Sequence, residues 1–102
     1  MELNEYQTIA GKSIDTKGTA LTYFALGLSG ETGEVIELIK KYVYRNKPID
    51  RELFVEELGD VLWNISQLAA WLGINLEEIA VHNLNKQRLR YPERFKNDNS
   101  TD

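Results

Sequence analysis

Cysteine is absent from this sequence. That removes disulfides, zinc–thiolate centres and thiol nucleophiles from consideration. Positive charge is scarce: 12 Lys and Arg stand against 16 Asp and Glu, for a net charge of −4. Binding to a nucleic-acid polymer needs the opposite balance, because cationic side chains must displace counterions from phosphates. A small phosphorylated ligand stays open, since a bound divalent cation reverses the local field. No apolar run approaches membrane-spanning length, and Met1-Glu2-Leu3-Asn4 does not begin a signal peptide, so the expected location is cytoplasmic with no membrane partner. The single histidine, His82, has Ile79 three residues before it. This argues against a redox di-iron bundle, which needs Glu-x-x-His pairs. Only two prolines punctuate the chain, and neither a repeat nor a clear strand signal is visible.

What is there reads as helix throughout. The 102 residues suit one domain, expected over 1–95, followed by a polar, loose tail at 96–102. Leu3, Tyr6, Ile9 and Ala10 share a face and predict a first helix from Leu3 to Ile14. Asp15-Thr16-Lys17-Gly18 reads as a turn. A long second helix, Ala20 to Arg45, carries the stripe Phe24, Leu28, Val35, Leu38, Ile39 and Tyr42, and Asn46-Lys47-Pro48 ends it. Asp50 caps a third helix with Phe54, Leu58, Val61, Leu62, Ile65, Leu68, Ala69 and Leu72 as its core face, closed by Gly73. Asn75 and Glu78 form a capping box for a fourth helix with Leu76, Ile79, Ala80, Leu84 and Tyr91, ended by Pro92. The expected fold class is therefore all-α, a helical bundle of about four helices. A domain this small buries a limited share of its apolar surface, so self-association would add to its stability.

The functional signal is a set of carboxylates in unusual places. At ~100° per residue, Glu31 falls inside the apolar stripe of the second helix, between Leu28, Val35 and Leu38. Glu34 borders that stripe, whereas Glu37 lies on the solvent side. On the third helix Glu57 borders the stripe, Asp60 sits one step further round, and Asn64 continues the same edge; Glu56 points further out. Each helix thus offers an i, i+3 acidic pair aimed at the core or its rim. An ionised carboxylate held away from water without a partner is costly, and neighbours of like charge repel. A hard cation such as magnesium or manganese, which prefers oxygen ligands, resolves both problems. The plain alternative is a pair of solvated acidic faces, the usual fate of such pairs; two of them on facing helices balance the readings.

The fourth helix adds Asn83 on its apolar face, with Lys86 and Arg90 beside it. Asn83 suits a metal-shell or water-orienting role, and the two cations suit phosphate oxygens; a satisfied core Asn with two snorkelling cations fits the spacing equally well. His82 lies well round from the stripe and reads as a solvated surface residue. Trp63 and Trp71 lie off the core stripe, so either a second subunit or the first helix covers them. Tyr6, Tyr23, Tyr42 and Phe24 at helical spacing read more readily as core than as a base-stacking platform.

The segments Gly27-Leu28-Ser29-Gly30-Glu31-Thr32-Gly33-Glu34-Val35, Glu56-Glu57-Leu58-Gly59-Asp60-Val61-Leu62 and Leu72-Gly73-Ile74-Asn75-Leu76-Glu77-Glu78, with Asn83, Lys86 and Arg90-Tyr91-Pro92, resemble the MazG-like nucleotide pyrophosphohydrolases. The ordered set E-x-x-E, E-x-x-D, LGD and RYP carries the resemblance, which spans Ala25 to Phe95. It implies an all-α NTP pyrophosphatase that assembles as a dimer or tetramer and converts a nucleoside triphosphate to the monophosphate and diphosphate. It implies Mg2+, or Mn2+, held by Glu31, Glu34, Glu57 and Asp60. Asn83 and Lys86 match the family's polar positions on the last bundle helix. From the wheel positions, Asn83, Lys86 and Arg90 are the expected substrate ligands, with Lys86 also catalytic, and Glu34, nearer solvent than Glu31, is the expected general base. One departure is Gly30, where many relatives have another Glu, which leaves the number of metals open. The rival expectations are a non-catalytic helical metal-binding or protein-interaction module and a partner-binding protein that keeps the fold without activity. Asn83, Lys86 and Arg90 favour an enzyme, because a purely structural metal site needs no phosphate-facing cations.

Overall fold

The computed structural model describes residues 1–14 and 20–96, which form helices and short connections without a strand. In order these are α1 (Leu3–Ala10), a 3-10 turn (Gly11–Ser13), α2 (Ala20–Arg45), α3 (Arg51–Trp71), α4 (Leu76–Arg90) and a short α5 (Pro92–Phe95). The expected turn at Asp15–Gly18, and the tail beyond Lys96, lie outside the described residues. The all-helical expectation holds, with α2 spanning the stretch read from the sequence. The first helix is shorter than expected, because the chain tightens into the 3-10 turn at Gly11. Pro92 does more than end α4: it occupies the start of α5, where its missing N–H costs nothing.

Local capping explains the boundaries. Asp50 accepts a hydrogen bond from the Leu53 N–H at 3.1 Å and so starts α3. Gly73, at φ 75°, ends it: the Ile74 N–H donates to the Ala69 carbonyl at 2.9 Å and the Gly73 N–H to Ala70 at 3.0 Å. This is the Schellman pattern, whose left-handed residue favours glycine. Asn75 and Glu78 then form the expected reciprocal box at the start of α4. Between α2 and α3 the link is short, with Asn46 in the left-handed region at φ 53°. The two long helices therefore fold back on each other as an antiparallel hairpin.

Side-chain amides of α1 tie the other end together. Gln7 donates through Nε2 to the Ser66 and Ile74 carbonyls, both at 3.0 Å, while its Oε1 accepts from the Leu76 N–H at 3.1 Å. Asn4 Oδ1 accepts from the Glu77 N–H at 2.9 Å, so two side chains of α1 help to satisfy the exposed start of α4. Gln67 and Ser66 complete this buried polar knot, with Gln67 Nε2 donating to Ser66 Oγ at 2.8 Å.

Among the described residues the buried apolar side chains are few: Phe24, Ala69 and Leu76. Phe24 meets Trp63 edge-on, with ring centroids 5.6 Å apart, and Trp63 Nε1 donates to Ser13 Oγ at 3.0 Å. Trp63 is thus covered from within its own chain, as one of the two sequence readings had it, whereas Trp71 stays exposed. The expected core stripes are covered only in part: Ile39, Tyr42, Leu58 and Leu72 are about half exposed, between 46% and 55%. The radius of gyration, 16.6 Å, exceeds the ~13 Å of a compact chain of this length. An open hairpin with α1 and α4 at one end accounts for both observations.

Candidate metal centre

Glu31 on α2 and Glu57 and Asp60 on α3 turn their carboxylates to one place, where one oxygen of each lies within 4.8 Å of the others. The hairpin brings them together: α2 and α3 run alongside each other, and the i, i+3 spacing of Glu57 and Asp60 puts both on the side of α3 that faces Glu31. Glu31 and Glu57 are half-buried and Asp60 is exposed. Partial desolvation raises the Glu57 pKa; a hydrogen bond to Glu31 and the negative charges of Glu31, Glu34 and Asp60 push it further in the same direction. Without a cation, then, Glu57 holds its proton more tightly than an ordinary glutamate.

Three oxygen donors of this kind fit a hard divalent ion, whose preferred ligands are carboxylates and water. Glu34 stands apart from the three: it is exposed on the next turn of α2, yet its charge is felt at Glu57. Of the four carboxylates singled out from the sequence, three converge and the fourth flanks them.

Beside the carboxylates lies a hollow of about 500 Å³, lined by Tyr23, Leu26, Gly27, Glu31, Asp60, Trp63 and Asn64. Its volume falls in the range of small-ligand sites, roughly 300–1,000 Å³. One rim is acidic and the remaining wall is largely apolar and aromatic. Spacing alone had tied Trp63 and Asn64 to no ligand, although both stand one turn beyond Asp60 on α3. On α1, Tyr6 has its hydroxyl pKa raised, first by desolvation and then by the charge of Asp60, which places this helix at the edge of the same site.

Asn83, Lys86 and Arg90 lie elsewhere in the single chain. All three are exposed on α4, which packs against α1 and α5. Lys86 and Arg90 line an open trough of about 820 Å³ with Val81, His82, Asn85 and Leu89. Asn83 and Lys86 line a smaller hollow with Ile74, Ile79 and His82. The trough is larger than the hollow at Glu31, but it is an open helix flank that none of the three clustered carboxylates lines, so the smaller hollow is the chemical candidate. On α2, Lys40 pairs with Glu37 at 3.2 Å. His82 is on the surface, as its wheel position implies.

An antiparallel helical hairpin with three converging carboxylates defines an all-helical protein with a candidate metal site. The MazG nucleotide pyrophosphohydrolase domain family matches residues 20–95, and the chain belongs to that family. A curated relative, the Gene 37 protein of Mycobacterium phage L5, is 36% identical over 74 residues, covering 69% of this chain. The chain spans 65% of that relative's length. No solved structure matches the chain.

Proposed function

We propose that the protein is a magnesium-dependent nucleoside triphosphate pyrophosphohydrolase that converts a (d)NTP to the (d)NMP and diphosphate. The observation that carries this reading is the meeting of Glu31, Glu57 and Asp60 beside a nucleoside-sized hollow. Membership of the MazG family supports the reaction class.

Glu31, Glu57 and Asp60, with Glu34 at the rim, would hold the ion. When bound, magnesium, or manganese in its place, neutralises phosphate oxygens and helps to orient the attack at the α-phosphorus. Glu34 is the choice for general base, since its exposed position beside the cluster leaves its carboxylate accessible to water. It takes one proton as the water oxygen bonds to the α-phosphorus; the bond from that phosphorus to the bridging oxygen breaks, and diphosphate leaves. Asn83, Lys86 and Arg90 are assigned to the phosphates, with Lys86 acting at the reacting group. Because these three line other hollows within one chain, we assign them this role in a homodimer or homotetramer, where α4 of one copy approaches the carboxylates of another. The exposed apolar residues of the hairpin support such an assembly.

Diphosphate release from a panel of standard and modified triphosphates, with and without magnesium, tests the proposal. Release that requires the ion is expected. A well-folded protein that turns over no member of the panel would sink the reading and favour a binding module.

A further inference from the structure

We propose that Ser13 is a positioning residue: it holds the indole of Trp63 as a flat wall of the hollow beside the carboxylates, and the base of a nucleotide stacks there. The nature of the ligand rests on the pyrophosphohydrolase reading; the wall itself rests on geometry. Trp63 has one polar atom, Nε1, which can only donate. It donates to Ser13 Oγ at 3.0 Å. The Ser13 hydroxyl has one proton, which goes to the Ala10 carbonyl at 2.7 Å. The serine oxygen is left as an acceptor for the indole, so the two bonds agree in direction. A second hold comes from Phe24, which is 1% exposed and meets the indole edge-on at 5.6 Å between centroids. Restraints from two other elements, the 3-10 turn and α2, thus fix one side chain of α3.

Ser13 lies outside the lining of the hollow, whereas Trp63 belongs to it. The indole's polar atom is therefore engaged elsewhere, and what the ring offers the hollow is aromatic carbon. Tyr23 and Leu26 extend this surface and are 66% and 69% exposed. Most polar side chains of the lining are already committed. Glu31 and Asp60 belong to the carboxylate cluster. Asn64 donates through Nδ2 to the Asp60 carbonyl at 2.9 Å, and its Oδ1 is buried against Gly27. Among the described residues of the lining, the Tyr23 hydroxyl alone remains to read a polar edge. Trp63 stands one turn beyond Asp60 on α3, so a ligand held at the rim through phosphate has its organic part beside the indole. A flat ring matches such a wall, and stacking tolerates any base because every base has a π-face. Affinity is then graded by ring area, purine above pyrimidine, and little by the donors and acceptors of the base edge.

The test compares the intact protein with Ser13→Ala, Trp63→Phe, their double variant and Trp63→Leu, all with magnesium. Calorimetry gives Kd for α,β-methylene purine and pyrimidine nucleoside triphosphates and for inorganic tripolyphosphate, with turnover of the parent nucleotides followed in parallel. Trp63→Leu is expected to weaken the purine analogue about tenfold, the size of one lost stacking contact, and to narrow its lead over the pyrimidine. Ser13→Ala is expected to weaken it about threefold, part of one hydrogen bond, with the turnover effect in KM rather than kcat. Tripolyphosphate affinity is expected to stay unchanged throughout. In the Trp63→Phe background, which has no N–H to hold, Ser13→Ala should add nothing. With Trp71→Phe leaving Trp63 as the one indole, the purine analogue should quench its emission. Ser13→Ala deletes only the hydroxyl of an exposed residue, so the test does not hang on whether the fold accepts Trp63→Leu. Unchanged purine affinity in Ser13→Ala, an equal loss on tripolyphosphate, the same loss in the Trp63→Phe background, or no quenching each overturns the inference. Failure of turnover with Trp63-dependent analogue binding retained would instead remove the hydrolase reading and leave the wall standing.

Discussion

Glu57 reports most directly on what the centre needs. Its pKa lies above the ordinary glutamate value in the metal-free fold, so between the unfolded and folded values the native state holds more protons than the unfolded chain. Stability in that window falls as pH rises, and it levels off once Glu57 is ionised in both states. Thermal melts in a chelator, stepped upward from the ordinary glutamate range, are expected to show this decline, and added magnesium should reverse it. Metal affinity should rise over the same window, since the ion competes with the proton. Glu57→Gln should abolish the decline and reduce turnover by at least ~100-fold, as expected when a metal ligand of the reaction is lost. A Glu57→Gln protein with full turnover would contradict the assignment. Glu34→Gln separates the roles further: kcat is expected to fall, with Mn2+ affinity weakened less than by Glu57→Gln.

At the scale of elements, the junction of α1, α3 and α4 is held by amide side chains rather than by apolar mass. Gln7→Ala leaves the Ser66 and Ile74 carbonyls and the Leu76 N–H without their partner. A loss of about 2–3 kcal/mol is expected, because groups left unpaired in a buried place cost more than the bond itself was worth. Gly73→Ala, at φ 75°, should cost about 1 kcal/mol through backbone strain. Urea denaturation measures both. These elements were largely legible beforehand, because capping is local: Asp50, Gly73 and the Asn75–Glu78 pair announce helix ends from residues only a few positions apart. The packed faces were less legible. A stripe of Leu58, Leu62 and Leu72 reads as core on a wheel, yet Ser66 and Gln67 are the ones buried, because α1 brings matching polar groups to that side. The carboxylate cluster was readable because acidic residues inside an apolar stripe stand out on one helix alone. The hollow at Trp63 and Asn64 was not, since it depends on where α2 and the 3-10 turn cross α3, and no spacing within a single helix encodes that.

For the whole molecule, the apolar surface left open on the hairpin sets the expectation. Ile36, Ile39, Val43, Val55 and Leu58 are 46% to 59% exposed in one chain. Light scattering is expected to give a dimer or tetramer, and a Val55→Lys, Leu58→Lys double variant should shift it toward monomer. Among the described residues no helix is long and apolar enough to cross a membrane.

In the proposed assembly, the placing of α4's cations and the carboxylates in different hollows of one chain has an enzymological consequence. A chain that lacks Glu57 and one that lacks Lys86 and Arg90 carry complementary defects. Each alone should be inactive, but mixed and re-equilibrated they should regain part of the activity, since some hybrid particles contain one undamaged centre. For the same reason specific activity should fall on dilution well before the helices melt.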